Sequence, residues 1–215
     1  DLALSLRAEG VPLSHIDIGG GLGIAYQTGQ AVISPQDYAA AILPPIRRTG
    51  LTLVLEPGRW IVGPAGTLVT SVVDLKTQVV GAGEPPRWFV IADAGMTDLI
   101  RPALYGIHHE VLPVRRPRGR PKIKKTDLVG PVCESSDCFG RDLKIDAGLG
   151  SGDLLAILSS GASGMSMAGN YNSRLRPAEV LVDEDATEAK DRLHRAQAPI
   201  VVLLITQELL RQPED

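Results

Sequence analysis

Helical and extended apolar patterns alternate at the start of the chain. The leucines spaced along residues 1–10, with Gly10 as the stop, predict the end of a helix. Leu13, Ile16 and Ile18 then predict a short buried strand that runs into consecutive glycines. The first two elements are therefore expected to be a helix and a strand.

A second helix and a second strand follow the glycines. Ser34 as the N-cap, Pro35 at the first helical position and Asp37 predict a helix start, and Pro44-Pro45 predicts a kink or an early end. The continuous apolar run over residues 51–58 predicts a strand buried on both faces. This alternation is typical of parallel α/β architecture.

The pattern changes after Gly63-Pro64. Short apolar runs separated by Gly, Pro, Asp and Ser now predict strands. They lie in "TLVTSVVDLKTQ", "RWFVIAD", "EVLPVRR", "RDLKI", "DLLAILSS" and "EVLVD". We expect an α/β unit over residues 1–63 and an all-β unit over residues 64–183. The tail over residues 184–215 begins with a charge pattern typical of an exposed helix.

Composition narrows the class of protein. With 215 residues, 44% hydrophobic, 22% charged and a net charge of −3, the chain can bury one or two cores and has no overall field that attracts nucleic acid or a membrane. Two cysteines and no signal-peptide pattern predict a reduced, cytoplasmic protein, and we expect no metal site. The longest apolar run, residues 198–205, is far below the roughly 20 residues of a membrane span.

Because the chain begins at Asp1 within a helical pattern, we expect it to be a piece of a longer protein.

Gly19, Gly20 and Gly21 end the first predicted strand. A turn without side chains exposes its N–H groups, and such groups bind phosphate through hydrogen bonds. A tight loop that only requires positive φ would use the same residues. The glycines alone leave both interpretations open.

Glu56 and Arg59 follow the second apolar run, in "LEPGRW". The carboxyl ends of strands in α/β barrels hold active-site groups, so this pair is a candidate for chemistry. The alternative is a surface turn with an ion pair between residues three apart.

Three later segments carry further candidates. Arg101 precedes a proline, which favours extended geometry and would project its guanidinium toward a carboxylate, and Tyr105 follows closely. A solvated arginine and a core tyrosine are the alternative. Cys133 lies beside Glu134 in a hydroxyl-rich loop, although a lone cysteine is most often a small buried residue. Tyr171 lies between two asparagines.

Five motifs, in this order, resemble the C-terminal half of the diaminopimelate decarboxylase family: "IDIGGGLGI", "LEPGRW", "DLIRPALYG", "GPVCESSD" and "NYNSRLRPAEVLV". The resemblance runs from about Leu2 to Val182. It implies a pyridoxal 5'-phosphate enzyme with an alanine-racemase-like fold, in which residues 1–63 are the C-terminal part of a TIM (β/α)8 barrel. Residues 64–183 would form a mostly antiparallel β-barrel domain. The resemblance also implies a homodimer with shared active sites.

The resemblance assigns a role to each candidate at the cofactor. Gly19, Gly20 and Gly21 would present backbone amides to the phosphate, with Gly58 also in the cofactor-binding set. Glu56 would pair with the pyridine nitrogen and keep it protonated, so that the ring can accept electrons. Arg59 and Tyr171 would contact the phosphate.

Substrate roles follow from the same resemblance. Arg59, Arg101 and Tyr105 would bind the distal end of the substrate, together with Tyr171. Cys133 would be the general acid that returns a proton to the substrate, delivered with Glu134 into the partner subunit's site. Two cations for the second carboxylate and one anion for the second ammonium match the charges of diaminopimelate.

The implied function is decarboxylation of meso-2,6-diaminopimelate to L-lysine. In the family the lysine that forms a Schiff base with the cofactor lies upstream of the position of Asp1, so we expect the isolated chain to be inactive. The alternatives are a related decarboxylase of basic amino acids, of the ornithine or arginine type, and a non-catalytic fragment. Related ornithine decarboxylases have Asp after the cysteine, where this chain has Glu134.

The stretch "RRPRGRPKIKK", residues 115–125, resembles the AT-hook, which binds the minor groove of A·T-rich DNA. Seven of its eleven residues are basic. A single copy, a negative net charge and a position between two family motifs disfavour a nucleic-acid partner, because basic runs are usually solvated.

Overall fold

The computed structural model describes residues 1–79, 83, 85–115 and 120–182, and the backbone of residues 200–204. Its N-terminal part contains α1 (Leu2–Ala8), β1 (His15–Asp17), α2 (Pro35–Thr49), β2 (Thr52–Val54) and α3 (Gly58–Val62). Strands β1 and β2 pair in parallel. The predicted alternation and parallel pairing are confirmed, whereas the (β/α)8 barrel beyond these two strands stays a prediction.

Local signals set both ends of α2. The Ser34 hydroxyl accepts a hydrogen bond from the Asp37 amide at 3.0 Å, and Gly50 ends the helix with a φ of 67°. The prediction that Pro44-Pro45 ends the helix early is wrong, because α2 continues to Thr49. A proline removes one backbone hydrogen bond but holds φ near its helical value, so the turn can continue.

The strands β1 and β2 are less buried than the sequence predicts. Ile16 and Leu53 are half-buried, while Ile18 and Val54 are 36% and 37% exposed. The prediction of a strand buried on both faces over residues 51–58 is therefore wrong for this chain. Among the described residues, no further strand pairs with this two-stranded sheet, so both edges and much of each face stay open.

The rest of the described chain builds one mixed sheet of eight strands. They are β3 (Gly66–Gln78), β4 (Arg87–Ala92), β5 (Val111–Pro113), β6 (Ile123–Val129), β7 (Cys138–Asp146), β8 (Leu154–Ile157), β9 (Ala178–Val182) and β10 (Ile200–Leu204). The order is β5-β8-β3-β4-β6-β7, and β10 lies between β3 and β9. Within the described residues, β4 pairs with β6 and β9 with β10 in parallel, and the other pairs are antiparallel.

Strand β3 connects the two halves of this sheet. Its first half pairs with β8 and β10, and its second half pairs with β4 after an irregularity between Val72 and Asp74. Alternate residues from Gly66 to Val72 are buried, as a strand with one face on a core requires. The core also draws on the strands around β3; its fully buried apolar members include Leu68, Val90, Leu128, Leu155 and Ile157.

Strands β6 and β10 were missed by the sequence analysis. The lysines at the start of β6 made this segment look like part of the basic stretch rather than a strand. In the structure the Lys124 ammonium lies 3.1 Å from the Trp88 ring centroid across the β4–β6 pair, so this charge packs on an aromatic ring. The AT-hook-like stretch therefore ends inside the sheet, and residues 116–119 lie outside the described residues. The predicted tail helix also lies outside the described residues.

Two short helices and one 3₁₀ turn complete the described elements. They are α4 (Arg101–Tyr105), α5 (Gly164–Met167) and the 3₁₀ turn Tyr171–Ser173. Within the described part of the chain, no helix combines the length and apolar character needed to cross a membrane.

Gly161 lies at a contact between the N-terminal part and the large sheet. A Cβ there would come within 1.9 Å of the Val62 carbonyl oxygen and 2.8 Å of the Gly66 nitrogen. We expect Gly161→Ala to lower the free energy of unfolding by about 3 kcal/mol, because backbone cannot yield as a side chain can. Gly164→Ala is the control, since its Cβ would meet Leu99 at an ordinary 3.7 Å. Equal urea midpoints for both variants would contradict this close contact.

Candidate functional site

The glycine turn lies against the turn that follows β2. The Glu56 amide donates to the Gly19 carbonyl at 2.9 Å, and the Asp17 carboxylate accepts from the Gly19 amide at 2.7 Å. A Cβ on Gly20 would lie 2.6 Å from the Glu56 carbonyl oxygen. Gly19 and Gly21 have φ values of 70° and 93°. Close approach at Gly20 and positive φ at its neighbours exclude side chains from this turn.

A cavity of about 380 Å³ opens beside this turn. Its wall combines residues from the N-terminal part with residues from the large sheet domain. They are Gly21, Leu22, Glu56, Gly58, Arg59, Val62, Arg101, Ala162 and Ser163. Five of the residues predicted from sequence thus meet at one cavity: Gly21, Glu56, Gly58, Arg59 and Arg101.

Arg101 is the first residue of α4 and is 4% exposed. The predicted extended geometry before Pro102 is wrong, because proline is tolerated in the first helical turn, where backbone N–H groups have no helical partner. The alternative of a solvated arginine is wrong as well. Tyr105 is 58% exposed, so it is no core residue, and its ring centroid lies 5.8 Å from the Arg101 guanidinium carbon.

The buried charge of Arg101 has no carboxylate partner among the described residues. The two ion pairs found there join Arg87 to Asp127 and Arg174 to Asp98. Arg101 Nη2 donates to the Tyr26 hydroxyl at 3.3 Å, and its Nε has no partner in the described chain. A buried cation without an anion is costly, so a cavity with this residue in its wall favours an anionic ligand.

The interpretation of Glu56 and Arg59 as an isolated surface ion pair is also wrong. Neither residue belongs to an ion pair among the described residues, and both line the cavity. Together with Arg101, the wall offers two cations and one carboxylate. That donor set can hold a phosphate or carboxylate at one end and a protonated ring nitrogen at the other.

Tyr26 and His109 were not singled out in the sequence. Tyr26 contacts Arg101, and His109 packs against Tyr26. Their rings meet edge to face with centroids 5.1 Å apart, and His109 is fully buried. His109 Nδ1 lies 2.8 Å from the Leu158 carbonyl, and its Nε2 has no partner among the described residues. Burial lowers the pKa of His109 against the effect of the Leu158 contact, and the charge of Arg101 lowers it further. No sequence motif marks this pair.

Cys133, Glu134 and Tyr171 form a second group, which does not line the cavity. Tyr171 donates a short hydrogen bond from its hydroxyl to Glu134 Oε1, and this bond raises the pKa of Tyr171. Cys133 is exposed, so the alternative of a small buried residue is wrong. The predicted residues Gly19, Gly20 and Tyr105 belong neither to the lining of this cavity nor to this exposed group.

Comparisons with known proteins identify relatives of this chain. A family model described as "Pyridoxal-dependent decarboxylase, C-terminal sheet domain" matches residues 25–161. A diaminopimelate decarboxylase of Vibrio cholerae is 47% identical over 85% of this chain and 42% of its own length.

Solved structures are similar as well. Diaminopimelate decarboxylase from M. jannaschii in co-complex with L-lysine superposes with a TM-score of 0.77 at 36% identity, over 86% of this chain and 42% of that one. The Helicobacter pylori enzyme complexed with L-lysine gives 0.70 at 40% identity, over 81% and 41% of the two chains. The chain thus spans less than half the length of these relatives.

The buried His109 generates a prediction about pH. Because its folded-state pKa lies below the ordinary 6.5, its stabilising effect is complete above pH 6.5 and is lost as the pH falls through the folded-state pKa. We expect the Tm difference between the wild-type chain and His109→Gln to narrow from pH 7.5 to pH 5.5. His15→Gln is the control, since His15 is exposed. A His109→Gln difference that stays constant with pH would contradict the assignment.

Proposed function

Given that this chain belongs to the pyridoxal-dependent decarboxylase family, we propose that the whole protein decarboxylates meso-2,6-diaminopimelate to L-lysine. The cavity carries the proposal, because it gathers Gly21, Glu56, Arg59 and Arg101 from three separate sequence motifs. The names of the relatives support the substrate. The reduced cysteines expected from the sequence support a cytoplasmic location.

The residues at the cavity fit pyridoxal 5'-phosphate. The turn of Gly19, Gly20 and Gly21 excludes side chains, and Glu56 and Arg59 line the cavity beside it. When bound, the cofactor supplies a protonated ring that withdraws electrons from the substrate's α-carbon. We assign the phosphate to the Gly20 and Gly21 amides and Arg59, since the Gly19 amide donates to Asp17, and the ring nitrogen to Glu56, with Gly58 keeping the turn free of a side chain.

Charge explains the choice of substrate. Diaminopimelate has a second carboxylate and a second ammonium at its distal end, whereas ornithine has only the ammonium. Arg59 and Arg101 would bind the distal carboxylate, with Tyr105 beside Arg101. Glu134 would bind the distal ammonium. A site with this buried guanidinium therefore favours a dicarboxylic substrate over ornithine or arginine.

Cys133 would supply the proton that replaces the lost carboxylate. The bond between the α-carbon and the carboxylate breaks, carbon dioxide leaves, and the Cys133 thiol donates its proton to the α-carbon before solvent restores it. Cys133 and Glu134 are exposed and do not line the cavity, which supports their action in the partner subunit's site of a homodimer. Tyr171 is hydrogen-bonded to Glu134, and its contact with the phosphate stays a prediction.

The first test measures lysine release from meso-diaminopimelate. We expect the whole protein, with pyridoxal 5'-phosphate, to form lysine and to prefer this substrate to ornithine and arginine. We expect the 215-residue chain by itself to form none, because by resemblance the lysine that carries the cofactor precedes Asp1. A preference for ornithine would overturn the proposed substrate, and turnover by the chain alone would overturn the expected dependence on that lysine.

The second test concerns Cys133. In the whole protein, Cys133→Ala should lower kcat by roughly 10²- to 10⁴-fold, the range for a positioned proton donor, with little change in Tm. Cys138→Ala is the matched control, because burial raises the pKa of Cys138 and its thiol has no assigned role. Equal turnover by both variants would contradict the role of Cys133.

Mixed dimers extend this test to the partner subunit. Combining Cys133→Ala with a variant that lacks the cofactor-binding lysine gives each heterodimer one intact site, if Cys133 acts in trans. Turnover should therefore reappear on mixing. Heterodimers that form but stay inactive would rule out delivery across the interface.

A further inference from the structure

The carboxylate of Asp137 closes the loop that carries Cys133 and Glu134. Asp137 is 4% exposed; its Oδ2 accepts the Val132 amide at 2.6 Å, and its backbone carbonyl accepts the Gly130 amide at 3.1 Å. A buried carboxylate that accepts backbone N–H groups makes strong charge-assisted hydrogen bonds. The side chain and the backbone of Asp137 therefore both bind amides at the start of this loop.

The same carboxylate fastens the loop to the turn of residues 93–98, which follows β4. Asp137 Oδ1 accepts the Met96 amide at 2.6 Å. Cβ atoms on Gly95 and Gly130 would come within 3.0 Å and 2.4 Å of this carboxylate. The absence of side chains at both glycines thus leaves the space that the carboxylate occupies.

Arg174 fastens the Tyr171 segment to the same turn. Its Nη2 donates to the Asp93 carbonyl and lies 3.8 Å from Asp98 Oδ2, and its Nε donates to the Thr97 hydroxyl at 3.3 Å. Both partners of the hydrogen bond between Tyr171 and Glu134 are therefore positioned from one turn, through separate anchors.

We propose that Asp137 is a positioning residue that holds Cys133 and Glu134 in their working geometry, with Arg174 as the matching anchor for Tyr171. The proposal rests on the proposed function for the roles of Cys133 and Glu134. Asp137 itself touches neither substrate nor cofactor and acts through the Val132 and Met96 amides. Its carboxylate accepts from both, whereas an asparagine would turn its NH₂ group toward one of these donors.

Hydrogen exchange of single amides in the full chain, measured by NMR, tests the anchor directly. In Asp137→Asn, exchange should accelerate roughly 10- to 100-fold at whichever of the Val132 and Met96 amides then faces the NH₂ group, while the amides of Lys122 and Gly148 stay unchanged. Asp146→Asn is the matched control, because Asp146 accepts from Lys122 and Gly148 at 3.0 Å and 3.1 Å. That variant should leave exchange at Val132 and Met96 unchanged, and at Lys122 and Gly148 as well, because both of these amides donate to Oδ1, which an asparagine retains. Unchanged exchange at Val132 and Met96, or equal acceleration throughout the chain, would overturn the proposal.

A second pair of variants tests the Asp137 anchor while Asp137 itself stays unchanged. Gly130→Ala would press a Cβ against the Asp137 carboxylate, whereas Gly148→Ala would meet Asp146 at an ordinary 3.5 Å. Gly130→Ala should accelerate exchange at Val132 and Met96, and Gly148→Ala should not. Identical patterns from the two glycine variants would count against the anchor, even if Asp137→Asn failed to fold.

Turnover separates this proposal from the proposed function. In the whole protein, Asp137→Asn should lower kcat by about 10- to 100-fold, because small displacements of a reacting group are costly, while Asp146→Asn keeps wild-type kcat. An inactive wild-type protein would refute the proposed function and leave the exchange result to decide the anchor. Normal kcat in Asp137→Asn despite faster exchange at Val132 or Met96 would overturn the positioning role alone.

Discussion

The site depends on one close passage of backbone past backbone. Gly161, after β8, lies so near the Val62 carbonyl and the Gly66 amide that no side chain fits between them. The Gly161 amide donates to the Gly63 carbonyl at 3.1 Å, which joins the end of α3 to the sheet. Ala162 and Ser163, the next two residues, line the cavity opposite Glu56 and Arg59. Without this contact the two halves of the cavity wall would not face each other.

The cavity is defined electrostatically by a charge that the described chain does not neutralise. Arg101 is a buried residue of α4 that donates to the Tyr26 hydroxyl, and the Tyr26 ring in turn meets the His109 ring edge to face. Fold stability alone would favour a carboxylate partner or an apolar residue there. A buried guanidinium without an anionic partner favours binding of an anion, because the guanidinium has already lost part of its hydration before the ligand arrives. The unpaired charge of Arg101 therefore favours binding of an anionic ligand but lowers the stability of the fold.

The turn of residues 93–98 organises the second group in a different way. It supplies a backbone amide to Asp137 and a backbone carbonyl to Arg174, so one short segment orients two loops distant in sequence. Asp137 is buried and Arg174 is half-buried, whereas Cys133, Glu134 and Tyr171 are exposed. A rigid base below exposed chemical groups suits residues that meet their ligand only when a second surface approaches.

Local signals in the sequence determined the elements whose causes are local. The Ser34 cap, the Gly50 stop and the positive φ values of Gly19 and Gly21 all follow from interactions between near neighbours. The family motifs also named five residues that line the cavity. They could do so because such residues are chosen for their chemistry, which each side chain carries by itself.

Only the tertiary structure decided what depends on distant partners. Arg101 is helical and buried because of the elements packed around it, and β6 is a strand because β7 pairs with its basic start and β4 pairs with the residues that follow. The support of Arg101 by Tyr26 and the anchoring by Asp137 likewise join residues far apart along the chain. Burial and hydrogen-bond partners are properties of the assembled fold, so no local pattern encodes them.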